Sequence, residues 1–360
     1  MIYALSIDWL SVFCMYEGVD MWNPVECPDG AGTRFQYKLE QFGTRCFSRF
    51  YRVRIPNPEG GLDEFAEVQA TPYSTILPPD AIIVRFTNRT LYLPNFWELA
   101  DEFLIQNRMS CRSISRIDIC ADFNDFASIA PRVLIERFAA KTLRHIGRGV
   151  GALYFDHKVV NKEYGVNYTG LSFGTHASDA HVYLYNKSFE LLTQGDKPWI
   201  RDVWKNIGLD IRNVWRLEVS IKSGGLKFKD KQSKQIVEIG VQDVYDPEGL
   251  DKIYQTFVRK LFAFIVNRKG ITNITREPRI VLFDEKPAYD RGCIRNLSAG
   301  GRMERVLIKS LYQFADKYRG SSIFQAREQT QFFAEMLSYA TGLHDWLEEK
   351  KEEWETPIHK

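Results

Sequence analysis

Alternation of apolar and polar positions dominates the first half of the chain. Tyr3-Ala4-Leu5-Ser6-Ile7-Asp8-Trp9-Leu10-Ser11-Val12 alternates, as does Arg49-Phe50-Tyr51-Arg52-Val53-Arg54-Ile55, which is closed by Pro56-Asn57-Pro58-Glu59-Gly60-Gly61. Period two of this kind predicts half-buried strands bounded by turn residues. Further strands are predicted over Ala81–Phe86, Ser113–Phe123, Leu171–Gly174, Ala180–Asn186 and Val214–Lys222. Apolar positions switch to helical spacing at Phe96, Leu99, Phe103 and Leu104, and again from Pro131 to about His145. Beyond Gly224-Gly225 the pattern changes: Gly249 to Asn267 and Arg302 to Lys350 read as mainly helical. Strands first and helices later predict an α+β fold, mainly antiparallel sheet with helices and a helical C-terminal lobe. A boundary near Gly224-Gly225 separates the two proposed domains, 1–225 and 226–360.

Three of the predicted strands carry an unusual polar face. Ser115 to Phe123 puts Arg116, Asp118, Cys120 and Asp122 on one side and Ile117, Ile119 and Ala121 on the other. Trp215 to Ile221 puts Arg216, Glu218 and Ser220 opposite Trp215, Leu217, Val219 and Ile221. Val182 to Lys187 presents Tyr183, Tyr185 and Lys187. Taken singly, each face is also what the solvated side of an antiparallel sheet looks like, and an Arg two residues from a carboxylate is a common surface pair of little worth. If the three strands are neighbours, carboxylates, cations and phenols gather on one sheet surface. Carboxylate oxygens are the ligands that Mg2+ or Mn2+ prefers, and a phenol near such a cation suits phosphodiester attack.

Composition narrows the field. The chain has 360 residues, 44% of them hydrophobic and 26% charged, which is ordinary globular usage and excludes a largely disordered chain. No apolar run reaches the roughly 18–20 residues that span a bilayer, and the acid at Asp8 with no basic start argues against a signal peptide. Cys14, Cys27, Cys46, Cys111, Cys120 and Cys293 form no Cys-x-x-Cys pair or zinc spacing, which predicts a reducing, cytoplasmic setting. The formal net charge of +2 does not announce a nucleic-acid binder, although a local basic groove can coexist with the acidic run from Asp345 to Glu355. Aromatics reach 14%, and core filling explains most of them. The glycines after Arg144 lack a Gly-Lys-[Ser/Thr] ending, so no nucleotide loop is read there. Lysines from Lys222 to Lys234 read as a solvated loop, or as phosphate contacts if the loop lines a DNA groove.

In order along the chain, three segments resemble the replication initiation factor family, which includes rolling-circle initiators of small plasmids and filamentous phages and related relaxases of conjugative elements. They are Ser115-Arg116-Ile117-Asp118-Ile119-Cys120-Ala121-Asp122-Phe123, then Ser172-Phe173-Gly174 leading to Tyr183-Leu184-Tyr185-Asn186-Lys187-Ser188-Phe189-Glu190, then Trp215-Arg216-Leu217-Glu218. The opening Ile7-Asp8-Trp9-Leu10-Ser11-Val12 also looks like a family start. Two positions depart from the family pattern. Phe173 stands where many relatives have Tyr, and Tyr183 stands two residues before Tyr185, where relatives often have Arg.

The resemblance implies a nickase-like fold and a rolling-circle initiator that nicks one DNA strand at an origin. Tyr185 matches the nucleophile, with Tyr183 in reserve; Lys187 and Arg216 match cations at the scissile phosphate; Asp118, Asp122 and Glu218 match acids around Mg2+ or Mn2+. No His-x-His occurs among His145, His157, His176, His181, His344 and His359, so the histidine metal motif of the wider nickases is missing. Implied partners are origin DNA, a host helicase and polymerase, and a second copy of the chain. The C-terminal region would recognise DNA or dimerise. A conjugative relaxase and a non-catalytic DNA-binding regulator are the rival readings.

Overall fold

The computed structural model describes residues 1–19, 21–24, 34–73, 77–147, 151–160, 163–175, 177–268 and 273–292. In chain order these are β1 (Ala4–Tyr16), β2 (Gln36–Leu39), β3 (Phe47–Pro56), β4 (Leu62–Pro72), β5 (Ala81–Phe86), α1 (Asn88–Leu91), α2 (Phe96–Gln106), β6 (Met109–Phe123), α3 (Pro131–Ala139) and β7 (Leu143–His145). There follow β8 (Gly151–Val160), β9 (Glu163–Phe173), β10 (Ala180–Asn186), α4 (Lys187–Gln194), α5 (Pro198–Ile207), β11 (Trp215–Lys222), β12 (Lys227–Asp230), β13 (Ile236–Glu238), α6 (Val241–Tyr245), α7 (Pro247–Leu261), β14 (Phe264–Val266) and β15 (Arg291–Gly292). The fold is α+β and is built on one large antiparallel sheet. Its order among the described residues is β2-β3-β4-β5-β1-β6-β11-β10-β9-β8.

One face of this sheet is the core. Leu10, Val12, Ile117, Ile119, Leu171, Val182, Leu184, Leu217, Val219 and Ile221 are buried there, and α2 and α7 pack near β6 and, for α7, β10 and β11. Helix α7 shows why. Asp246 caps it by accepting from the backbone amides of Glu248 and Gly249, and Pro247 opens its first turn. Leu250, Ile253, Tyr254, Phe257, Val258 and Leu261 then fall on one buried stripe at helical spacing. The hydroxyl of Tyr254 donates to the Leu217 carbonyl of β11 at 3.0 Å, which fixes the helix on the sheet. Most of the described aromatics serve this core, with edge-on pairs such as Phe35–Phe103, Phe65–Phe86 and Phe173–Phe264.

Two helices stop earlier than their apolar spacing suggests. Helix α3 ends at Ala139, Lys141 turns through a positive φ of 59°, and Leu143–His145 pairs as β7 with β14. The other end of that ladder, Phe264-Ile265-Val266, is the tail of the stretch read as helix to Asn267. Its β-branched and aromatic residues pair as a strand once Phe262 leaves helical backbone. Strand β4 and helices α4 and α5 were not anticipated. At Gly174 a φ of +91° turns β9 into β10, and a Cβ there would meet the His181 Cβ at 3.0 Å.

The compact unit that carries the sheet runs from Met1 to Cys293, and Ile294–Lys360 form the second unit. Residues after Gly225 therefore belong with the sheet as far as Cys293: Leu226, Phe228, Ile253, Tyr254 and Phe257 share its core. The lysine stretch forms β12 and its turn, where Lys227 pairs with Glu238 at 2.6 Å and Lys231 with Asp290 at 3.3 Å. The helical reading of 302–350, the acidic run from Asp345 and any recognition or dimer role of that segment lie outside the described residues. So do His176, Cys27 and Cys293. Among the described residues no helix is long and apolar enough to cross a membrane.

Candidate active site

The strands with the polar faces are neighbours. In the sheet, β6, β11 and β10 are adjacent, and their register sets residues in rows. Tyr185 lies opposite Arg216, which lies opposite Asp122; Tyr183, Glu218 and Cys120 form the next row; His181, Ser220 and Asp118 the third. Tyr185 is the last residue but one of β10. Asn186 then caps α4 by accepting from the Phe189 amide at 2.9 Å, and the amides of Lys187 and Ser188 both donate to the Val214 carbonyl. This strand-to-helix turn folds the Lys187 side chain back over the sheet.

The Tyr185 hydroxyl consequently sits between two opposite charges. It donates to Glu218 Oε2 at 3.1 Å, and Lys187 Nζ donates to it at 3.4 Å. Lys187 is 1% exposed and also pairs with Glu190 of its own helix. Tyr183 stacks on Tyr185, with ring centroids 4.6 Å apart and planes 23° apart. Tyr183 needs Gly170, which lies opposite Tyr185 on β9, because a Cβ there would stand 2.9 Å from the Tyr183 ring.

Electrostatics separate the two partners of Tyr185's bond. Burial, reinforced by the charges of Asp8 and Asp118, pushes Glu218 up to about 7 in spite of Arg216 and Lys187. Burial, with Glu218 next in importance, holds the Tyr185 phenol well above 10. Tyr183 is pushed up to about 12, by burial and then by Tyr154 and nearby acids. A carboxylate that titrates near neutrality and accepts a hydrogen bond from a phenol is able to take that phenol's proton.

Arg216 and Asp122 are placed differently from what phosphate or metal binding needs. Arg216 is fully buried. It meets Asp122 through two parallel bonds of 2.6 and 2.7 Å, bonds Asp8, and donates to the Tyr92 hydroxyl at 3.1 Å. The same Asp122 accepts from Trp204 Nε1 at 2.7 Å. Asp8 reaches this cluster because β1 bulges there: Ile7 pairs with Ile119 and Trp9 with Asp118, which leaves Asp8 without a partner on β6. Burial opposes ionisation of Asp8, but Arg216, with Lys187 and Lys197 behind it, brings its carboxyl down to about 2. Asn88 donates a further bond to it at 3.0 Å. The guanidinium is thus committed on all sides to protein oxygens.

The carboxylates assigned to Mg2+ or Mn2+ are likewise engaged. Both oxygens of Asp118 accept from Arg116, at 2.9 and 2.5 Å, and both oxygens of Asp122 are used by Arg216 and Trp204. Glu218 alone of the three faces the phenol. A hard divalent cation needs several uncommitted oxygens converging on one point. Among the described residues no group of three His, Cys, Asp or Glu side chains is placed to hold a metal ion. Asp118, Asp122 and Glu218 do not fit that role together.

No protein-family model matches this chain, and no curated protein matches it. Among solved structures it is similar to the rolling circle replication initiator protein from Geobacillus stearothermophilus. Identity is 14%, the match covers 78% of this chain and 93% of that chain, and the TM-score is 0.40. The likeness is weak and partial. It assigns no family.

Sequence reasoning missed Asp8, Tyr92, Asn88, Trp204 and Glu190. Asp8 carried a signal, an acid inside an otherwise apolar-polar strand, but the bulge that aims it at Arg216 leaves no mark in one sequence. Tyr92 and Trp204 lie on segments with ordinary composition. His145 proves structural: its ring stacks on Phe173 at 3.5 Å, and burial lowers its pKa. Phe173 is fully buried in the core.

Proposed function

We propose that this chain nicks one strand of DNA at an origin by direct attack of Tyr185 on a backbone phosphate, as a rolling-circle replication initiator does. The observation that carries the reading is the Tyr185 hydroxyl held 3.1 Å from the Glu218 carboxylate and 3.4 Å from the Lys187 ammonium. The order of the three motifs in the sequence supports it.

In this mechanism the phenol proton passes to Glu218 as the Tyr185 oxygen bonds to phosphorus. Because the resting phenol titrates high, transfer accompanies attack rather than preceding it. The bond from phosphorus to the 3′ oxygen breaks, and that oxygen leaves as a hydroxyl with a proton from solvent. A 5′-phosphotyrosine remains. Lys187 offsets negative charge on the attacking oxygen and keeps it near the base. Asp122, Arg216 and Asp8 act as the buried brace that fixes β1, β6 and β11. The ester conserves the energy of the broken linkage, so the 3′ hydroxyl can prime a host polymerase and later attack the ester to reseal the strand.

A second reading is favoured by one observation: Arg216 has no face left for phosphate and Tyr185 is 8% exposed. On that reading the chain binds DNA on the same fold without cutting it. Supercoiled plasmid carrying the cognate origin separates the two, with Tyr185→Phe as the variant. The proposed enzyme gives open circles with protein-linked 5′ ends, and the variant binds the DNA equally well but leaves it supercoiled. A variant that nicks at the native rate overturns the role of Tyr185; native protein that binds the origin and never nicks leaves the binder.

A further inference from the structure

Far from Tyr185 along β1 and β6, two cysteines stand directly opposite each other. Cys14 of β1 pairs with Cys111 of β6 in the antiparallel register. Opposed residues on antiparallel strands have Cα atoms about 4.5–5.5 Å apart, within the roughly 4.4–6.8 Å that a disulfide spans. The ladder is irregular just here: it steps from Phe13 opposite Ser113 to Cys14 opposite Cys111, so Arg112 has no partner on β1. Such a bulge twists the strands locally and loosens the pleat beside the pair.

The pair is asymmetric. Cys14 is fully buried and Cys111 is partly exposed, so an oxidant in water meets Cys111 first. Cys14 lowers the Cys111 pKa against the opposing effect of burial, and the Ser113 backbone adds to the lowering. The Cys14 thiol moves the other way, held up by Cys111 and by burial. One sulfur is therefore the attacking thiolate and the other the resolving thiol. The remaining described cysteines lack this setting. Cys120 is buried with its thiol donating to the Ser6 carbonyl at 3.5 Å, and Cys46 is exposed.

We propose that Cys14 and Cys111 are a redox modification site that hydrogen peroxide converts into a cross-strand disulfide and a dithiol reductant restores. The Cys111 thiolate attacks one peroxide oxygen and breaks the O–O bond, giving a sulfenic acid and hydroxide. Cys14 gives up its proton, attacks the sulfenic sulfur and expels the second hydroxide. Two thiols are oxidised and one peroxide is reduced to two waters. Reversal by thiol exchange suits a reducing compartment, where disulfides are transient. The bridge would staple the two strands that carry Asp8 on one side and Asp118 and Asp122 on the other.

Peptide mapping of the full chain without reduction, before and after hydrogen peroxide, tests this. A Cys14–Cys111 linked peptide should appear, two hydrogens lighter than the separate peptides, and vanish with dithiothreitol. The oxidised protein should melt higher than the reduced one by about 5 °C or more, because the link closes a long loop in the unfolded chain. In Cys14→Ser the linked peptide should be lost and dimedone should label Cys111. Peroxide that oxidises Cys46 while Cys14 and Cys111 stay reduced overturns the proposal, and so does a linked peptide that joins Cys111 to another cysteine instead. The native mapping stands even if the variant fails to fold.

Discussion

Replacing Glu218 by Gln should separate stability from chemistry. The carboxyl titrates at about 7 in the folded chain against an ordinary 4.5. Its folded pKa is raised, so the folded state holds the proton more tightly. The stability linked to it is fully present below about pH 4.5 and is lost as pH rises through about 7. At about 1.36 kcal/mol per pH unit that loss is at most about 3 kcal/mol. The Glu218 side chain keeps part of its surface in water, which screens the burial that raises its pKa and brings the figure toward about 1–2 kcal/mol. Gln keeps the shape and still accepts from Tyr185, yet it never ionises. Urea denaturation at pH 5 and pH 8 should therefore show native stability falling with pH while the variant's does not. The variant should gain about 1–2 kcal/mol on the native chain between the two pH values. At the same time nicking should fall about 10²–10⁴-fold, the usual worth of a general base. Adding Mg2+ or Mn2+ should not restore it. Equal pH dependence in the two proteins would refute the reading that folding raises the Glu218 pKa to about 7. Native nicking rates in the variant would refute its role as base.

Asp122→Asn should destabilise the chain by about 3 kcal/mol or more, since it leaves the fully buried Arg216 without its two-bond partner; thermal or urea unfolding reads this, and a loss under about 1 kcal/mol contradicts the brace. A chain ending at Gly225 should fail to fold, because it removes α7, the Tyr254 bond to Leu217 and the Phe228 and Phe257 part of the core. Circular dichroism with a cooperative melt from that fragment would show that the sheet stands without them.

How much of this was legible in the sequence depended on the range of the physics involved. The alternation in Arg116–Asp122, Val182–Lys187 and Trp215–Ile221 is a local property, and it located the strands and their shared polar face. That the three strands are neighbours is a property of topology, and the motifs only made it conditional. What Arg216 does was beyond reach, because its partners Asp8, Tyr92 and Asp122 come from separate stretches and the bulge at Asp8 depends on the pairing of β1 with β6. The same partners consumed the oxygens that made Asp122 look like a metal ligand. Helix ends at Ala139 and Leu261 were misplaced because Leu143–His145 and Phe264–Val266 find each other only in three dimensions. The cysteine pair was equally invisible, since the register sets Cys14 against Cys111 across a long stretch of chain.

The most direct measurement is a mass spectrum of the digested protein–DNA adduct after incubation with supercoiled origin DNA. Attack by Tyr185 predicts a nucleotide carried on the peptide that contains Tyr185, through a phosphate ester at its 5′ end. A nicked product with free 5′-phosphate and no protein-linked nucleotide would contradict it.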